Sequence, residues 1–176
     1  HLLNVCSDRY HFAVGLAAAL VTGKISLLPS TQTPEMISQL RRFAPDLFYL
    51  DDSPEGSLEL PRCAYPATAA DFQAKNQTEA RVPEIPAEQP VAYVFTSGST
   101  GEPRAHRKNW GSLVINAGAE AARLGLNEAP DTVLVGTVPA QHMYGFESTV
   151  LLALLSGAAF WAGRPSGRYS SSVQCM

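Results

Sequence analysis

Cysteine chemistry is poorly provided for in this chain. Its 176 residues hold three cysteines, Cys6, Cys63 and Cys175, an odd number at wide spacings that fits neither a disulfide framework nor a zinc-ligand pattern. His1 and His11 form no metal constellation with them. Charge is also scarce. Charged residues make up 16% of the chain and the formal net charge is −3, which is not the balance of a protein that coats nucleic acid. The acidity lies before residue 91, with −4 up to residue 90 and +1 beyond. The richest apolar runs, Phe12–Val21 and Thr149–Gly163, fall short of the ~20 residues of a membrane helix. No basic-then-apolar leader opens the sequence. No membrane span is therefore expected, and a cytoplasmic location is the default expectation. What is present is enough apolar matter, 45%, to fill the core of one domain of ordinary size. The chain starts at His1, and Leu2–Asn4 already reads like the middle of a fold, so both ends are expected to be cut from something longer.

The first 50 residues alternate helix and strand. Ser7 and Asp8 can cap a helix carrying Phe12, Leu16, Ala19 and Leu20 as far as Gly23. Ile25–Leu28 reads as a strand ended by Pro29. Thr33-Pro34 reads as an N-cap with proline at the first helical position, opening a helix that turns Met36, Ile37, Leu40 and Phe43 inward and stops before Pro45. Leu47–Leu50 reads as a further strand. This is the pattern of a parallel α/β sheet. Residues 51–90 hold six of the thirteen prolines and read as a long loop or insertion with one short strand or helical turn, anchored by Leu58, Leu60, Tyr65 and Phe72. From Val91 the alternation returns: a strand Val91–Phe95, a helix capped by Asn109 with Trp110, Leu113, Val114, Ala117, Ala121 and Leu124 on one face, a strand Thr132–Val138, a helix Gly145–Ser156 and a strand Ala158–Ala162. Trp110 and Trp161 are expected in the core.

Between Val91–Phe95 and the basic stretch His106-Arg107-Lys108 lies Thr96-Ser97-Gly98-Ser99-Thr100-Gly101-Glu102-Pro103-Arg104. Gly98 and Gly101 let the backbone turn tightly and approach a ligand closely. Hydroxyls and backbone N–H groups converging on one concavity suit phosphate oxygens. Glu102-Pro103 after Gly101 excludes the Walker A loop. The dinucleotide glycine pattern is absent, and no serine here sits in a nucleophile elbow. The basic stretch reads as a solvated edge followed by a helix cap. A contact of His106 or Arg107 with phosphate or a carrier protein is the sharper alternative.

Phe95 to Pro103 resembles, at nine consecutive positions, the phosphate loop of the adenylate-forming (AMP-binding) superfamily of acyl-CoA synthetases, luciferase and peptide-synthetase adenylation domains. The departures are Arg104 for the family lysine and Ala105 for the glycine after it. Val138-Pro139-Ala140-Gln141-His142-Met143-Tyr144-Gly145, which begins 37 residues after Gly101, resembles the family's P-x-x-H-x-x-G segment. Asp8-Arg9-Tyr10, Gly23 and Leu27-Leu28-Pro29 resemble its opening in a more generic way.

The resemblance implies a layered α/β fold with a largely parallel sheet flanked by helices, in which residues 1–176 form an incomplete N-terminal domain. It also implies an ATP-dependent ligase that activates a fatty or aryl acid as its acyl-adenylate. The acyl group would pass to coenzyme A or to the phosphopantetheine of an acyl carrier protein. Thr96, Ser97, Gly98, Ser99, Thr100 and Gly101 would hold the β- and γ-phosphates. Arg104 would stand in for the lysine, as a planar fork in place of a point charge, and His142 would lie beside the carboxylate and the departing pyrophosphate. The family's magnesium-binding glutamate, ribose-binding aspartate, hinge and late catalytic lysine have no counterpart in these residues, so no metal ligand is assigned. The chain alone is expected to bind nucleotide weakly without completing adenylation. The alternative is a non-catalytic chain that retains a phosphate-binding loop. A hydrolase using Ser97 or Ser99 with His142 lacks both the elbow and an acid to orient the histidine.

Overall fold

A computed structural model describes residues 1–56, 58–66, 82–96, 103–129 and 131–163. Strands β1 (Leu2–Asn4), β2 (Ser26–Leu28), β3 (Phe48–Asp51), β4 (Arg62–Ala64), β5 (Pro90–Thr96) and β6 (Arg104–Asn109) form one sheet in the order β4-β3-β1-β2-β5-β6. All pairings in it are parallel except β5 with β6. A separate parallel pair joins β7 (Val133–Leu134) and β8 (Ala159–Phe160).

The inner strands are buried on both faces, and their period of two sorts their side chains into two cores. Leu2, Leu28, Leu50 and Val94 meet Phe12 and Leu16 of helix α1 (Arg9–Val21), together with Leu113, Phe146 and Val150. Leu3, Leu27, Tyr49 and Phe95 point the other way, onto Met36, Ile37 and Leu40 of helix α2 (Pro34–Phe43). The result is a sheet between two helical layers, the expected fold class. A smaller cluster of Ala121, Leu126, Leu134, Leu152 and Ala153 seats β7 beside α3 (Trp110–Arg123) and α5 (Leu152–Ser156).

Both early helices have their expected caps. Asp8 accepts from the N–H groups of Tyr10 and His11, and Thr33 accepts from Met36 with Pro34 at the first position. Asn109 precedes α3 but makes no capping bond. The N–H groups of Trp110 and Gly111 donate instead to the carbonyls of Gln89 and Ala87, each at 2.9 Å. Glycine is needed there, because a Cβ at Gly111 would lie 2.9 Å from that of Ala87.

Several expectations need correction. The basic stretch 104–109 is a strand, because the β5 backbone offers it a ladder. The strand expected over 132–138 shrinks to two residues, paired with an equally short β8 in place of Ala158–Ala162. The helix expected from Gly145 begins at α4 (Met143–Gly145) and passes through a π-helical stretch, Phe146–Leu151, into α5. Trp161 is 57% exposed and Trp110 is only partly buried. Phe43, expected inward, is 43% exposed and packs edge-on against Tyr93 and Phe95. Val114 and Leu124 also face outward. In the proline-rich segment Leu58 and Leu60 pack on the α2 core and Tyr65 on the α1 core, while Phe72 lies outside the described residues. No helix among the described residues is long and apolar enough to cross a membrane.

Candidate functional site: a cavity at the carboxyl end of the parallel strands

Leu28 of β2 pairs with Val94 of β5 in parallel register. Pro29 and Ser30 therefore leave the sheet at the same end as Thr96. Thr96 follows Val94 by two, so its side chain rises on the α1 side of the sheet. The 143–156 helical segment packs on that side through Phe146 and Val150. His142, directly before this segment, meets Thr96 in a cavity of about 320 Å³ lined also by Leu28, Pro29, Ser30, Val94, Phe95 and Met143. Two segments separated by more than forty residues thus contribute to one site, at the strand ends where open α/β sheets take ligands.

Arg104 stands directly opposite Thr96 in the β5–β6 ladder, so the two side chains share a face. His106, two residues on, sends Nε2 to within 3.1 Å of Thr96 Oγ1. On the same strand Lys108 pairs with Glu147 at 3.1 Å, tying β6 to the helical segment that follows His142. Thr96, Arg104 and His142 are accordingly brought to one end of the molecule. Ser97, Gly98, Ser99, Thr100 and Gly101 lie outside the described residues.

His142 is placed by backbone. Its N–H donates to Pro139 at 3.1 Å, and its carbonyl accepts from Phe146 at 2.8 Å. Gly145 lets this turn close, since a Cβ there would collide with the carbonyl oxygen of Pro139 and come within 2.8 Å of that of Val138. Two side chains fasten the approach to His142, and sequence reasoning gave neither a role. Buried Arg9 donates to the carbonyls of Gly136, Val138 and Gly163, and Gln141 donates to the carbonyl of Cys6. The only hint in the sequence was an arginine beside the cap of an otherwise apolar helix.

Near the carboxyl ends of β1 and β3, Asp52 accepts from the N–H groups of Ser7 (2.8 Å) and Asp8 (3.0 Å) and contacts His11 Nδ1 at 3.0 Å. Burial works against its ionisation, but these donors outweigh it and hold the carboxyl below its ordinary range. Burial, reinforced by Asp52, Asp51 and Asp8, pushes the Cys6 thiol up to about 12. Cys6 is therefore not a nucleophile near neutral pH. No group of three or more metal-binding side chains occurs among the described residues. A larger concavity of about 1070 Å³ runs along β7 and the far side of the 143–156 segment, with Tyr144 and Trp161 on its wall. It holds none of the predicted site residues.

A hydroxyl, a guanidinium and two imidazoles thus stand near the carboxyl end of β5 in a largely parallel α/β unit. The chain belongs to the AMP-binding enzyme family, whose model matches residues 10–173. A 64-residue stretch is 44% identical to the 4-coumarate–CoA ligase of Rhodobacter capsulatus, covering 36% of this chain and 17% of that protein. Among solved structures, a malonyl-CoA ligase complex with methylmalonyl-CoA and AMP superimposes with a TM-score of 0.69 at 21% identity, over 96% of this chain and 35% of the other. The o-succinylbenzoate CoA synthetase of Bacillus subtilis in complex with ATP and magnesium gives 0.67 at 18% identity, over 94% and 45%. At these identities the likeness establishes the fold. The chain spans less than half the length of each of these relatives.

Proposed function

We propose that these residues form part of the nucleotide-binding domain of an AMP-forming acid–thiol ligase. In that reaction a carboxylate oxygen attacks the α-phosphorus of ATP and pyrophosphate leaves. The observation that carries the reading is the meeting of Thr96 and His142 in one cavity, with Arg104 in register across the hairpin. Family membership supports the adenylating class.

The described residues fit the anionic part of the substrate. Arg104 offers several donors in a planar fork to phosphoryl oxygens. The Thr96 hydroxyl adds a directional donor at the strand end. Ser97, Gly98, Ser99, Thr100 and Gly101 supply further donors between them. His142, at the cavity wall, orients the carboxylate against the phosphate chain. Magnesium, when bound, offsets charge on the leaving pyrophosphate, and none of these residues is assigned to hold it. The name of the bacterial relative makes aryl acids the first substrates to test, with fatty acids next, and coenzyme A the first acceptor ahead of a carrier-protein pantetheine.

The test has two arms. Calorimetric titration of this chain with ATP should detect weak binding, and substitution of Arg104 by Ala should weaken it about tenfold, as expected for a lost charge-assisted contact. Absence of ATP binding by the folded chain would overturn the reading. Carboxylate-dependent ATP–pyrophosphate exchange should be absent from the 176-residue chain and present in the polypeptide read outward from both ends of its coding frame. Exchange by the short chain alone would show that it needs no further parts.

A further inference from the structure

One contact in the site is not accounted for by phosphate binding at Thr96 and Arg104 alone. His106 lies on exposed strand β6, yet its Nε2 reaches Thr96 Oγ1 at 3.1 Å. His106 pairs with Val94 in the ladder, so Thr96 is its diagonal neighbour on the same face. A hydrogen bond at an exposed position adds little to stability. Its effect falls on the hydroxyl, which has one proton to give. When Nε2 carries a lone pair, it accepts that proton, and the Thr96 hydroxyl is turned toward the imidazole. When the ring carries both protons, Nε2–H can only donate, and Thr96 Oγ1 becomes the acceptor.

We propose that His106 and Thr96 form a proton-linked donor pair for a polyphosphate, in which protonation of the imidazole frees the Thr96 hydroxyl to donate to the anion. The step is a proton uptake: one proton passes from solvent to the ring, no covalent bond changes, and the site gains one positive charge beside Arg104. The proposal rests on the phosphate reading above and names a residue that reading does not need. The charged and titratable groups around His106 are consistent with this. Arg104 and Lys108 share its face of β6, Lys108 is neutralised by Glu147 from the helical segment, and His142 lies across the cavity that Thr96 lines.

The test is calorimetric titration of the chain and of His106→Gln with inorganic pyrophosphate and, separately, with ATP, from pH 5.5 to pH 8. Glutamine keeps a polar contact with Thr96 but cannot take up the proton, and a thermal melt checks that the variant folds. Each ligand titrates in this range, but its own titration cancels in the ratio of the two affinities. That ratio should rise as pH falls, to about fivefold in favour of the wild type at pH 5.5, and return to near unity at pH 8. Thr96→Val should lower the rise, removing the part carried by the hydroxyl and leaving the part due to the ring charge. An NMR titration of the His106 ring should show it taking up a proton when pyrophosphate binds. Pyrophosphate or ATP binding with a flat ratio and an unmoved His106 resonance overturns this proposal and leaves the phosphate reading intact. No binding of either ligand at any pH overturns both. Pyrophosphate and ATP giving the same ratio assigns the pair to the phosphate chain itself. A ratio that rises for ATP alone contradicts the pair as a polyphosphate donor.

Discussion

The two halves of this molecule are built by different means. Up to Asp51 the chain is organised by its own local signals. Each helix has a side-chain cap, and each short strand sends alternate residues into two cores. From Pro90 onward, position is set by distant partners. Helix α3 is capped by carbonyls from Ala87 and Gln89, β6 exists through its ladder with β5, and the approach to His142 hangs from Arg9 and Gln141. The first half is scaffold. The second supplies Thr96, Arg104 and His142 of the candidate site and leaves Met143, Tyr144, Leu154 and Trp161 exposed. The candidate site is held by long-range contacts on a locally specified frame, so the two halves should respond differently to substitution.

The largest effect should come where the second half has no freedom. Gly145→Val drives a side chain into the carbonyls of Pro139 and Val138, and should cost more than about 4 kcal/mol or prevent folding, read by chemical denaturation. Leu40→Ala, in a residue with no exposed surface in the first half, should cost about 2–5 kcal/mol, against less than about 0.5 for Leu154→Ala at 52% exposure in the second. Equal losses would erase the distinction between the halves. Asp52→Asn should cost about 2 kcal/mol at pH 7, since it removes a charged acceptor from the N–H groups of Ser7 and Asp8. The folded-state carboxyl is held low, so its contribution is complete above the ordinary carboxylate range and is lost as pH falls through the lowered value. Wild type and variant should therefore converge in acid, below about pH 4. The smallest effects give the finest comparison. Asp8→Ala and Thr33→Ala should each cost about 1 kcal/mol, whereas Asn109→Ala should be neutral within about 0.5 kcal/mol, because its side chain caps nothing and its buried Oδ1 finds no partner.

The same contrast explains what could be read from residues alone. Asp8, Thr33-Pro34 and the short apolar runs marked α1, α2, β2, β3 and β5 because their signals are local. Arg104 to Asn109 shows no apolar alternation, so nothing in its composition announced a strand. Thr132 to Val138 is apolar enough for a longer strand than it forms, because ladder length is set by the partner, and β8 is two residues long. Thr96 and His142 stood out through their motifs, and they meet because the 143–156 segment packs on the α1 side of the sheet. Arg9 was not, because its value lies in carbonyls 127 and 129 positions away. The contact of His106 with Thr96 depends on the register of β6, which only pairing decides.

The pairing of Thr96 with Arg104 has one more consequence. Two side chains eight positions apart in sequence are held as cross-strand neighbours by backbone hydrogen bonds, so a change of side chain at either one leaves the position of the other in place.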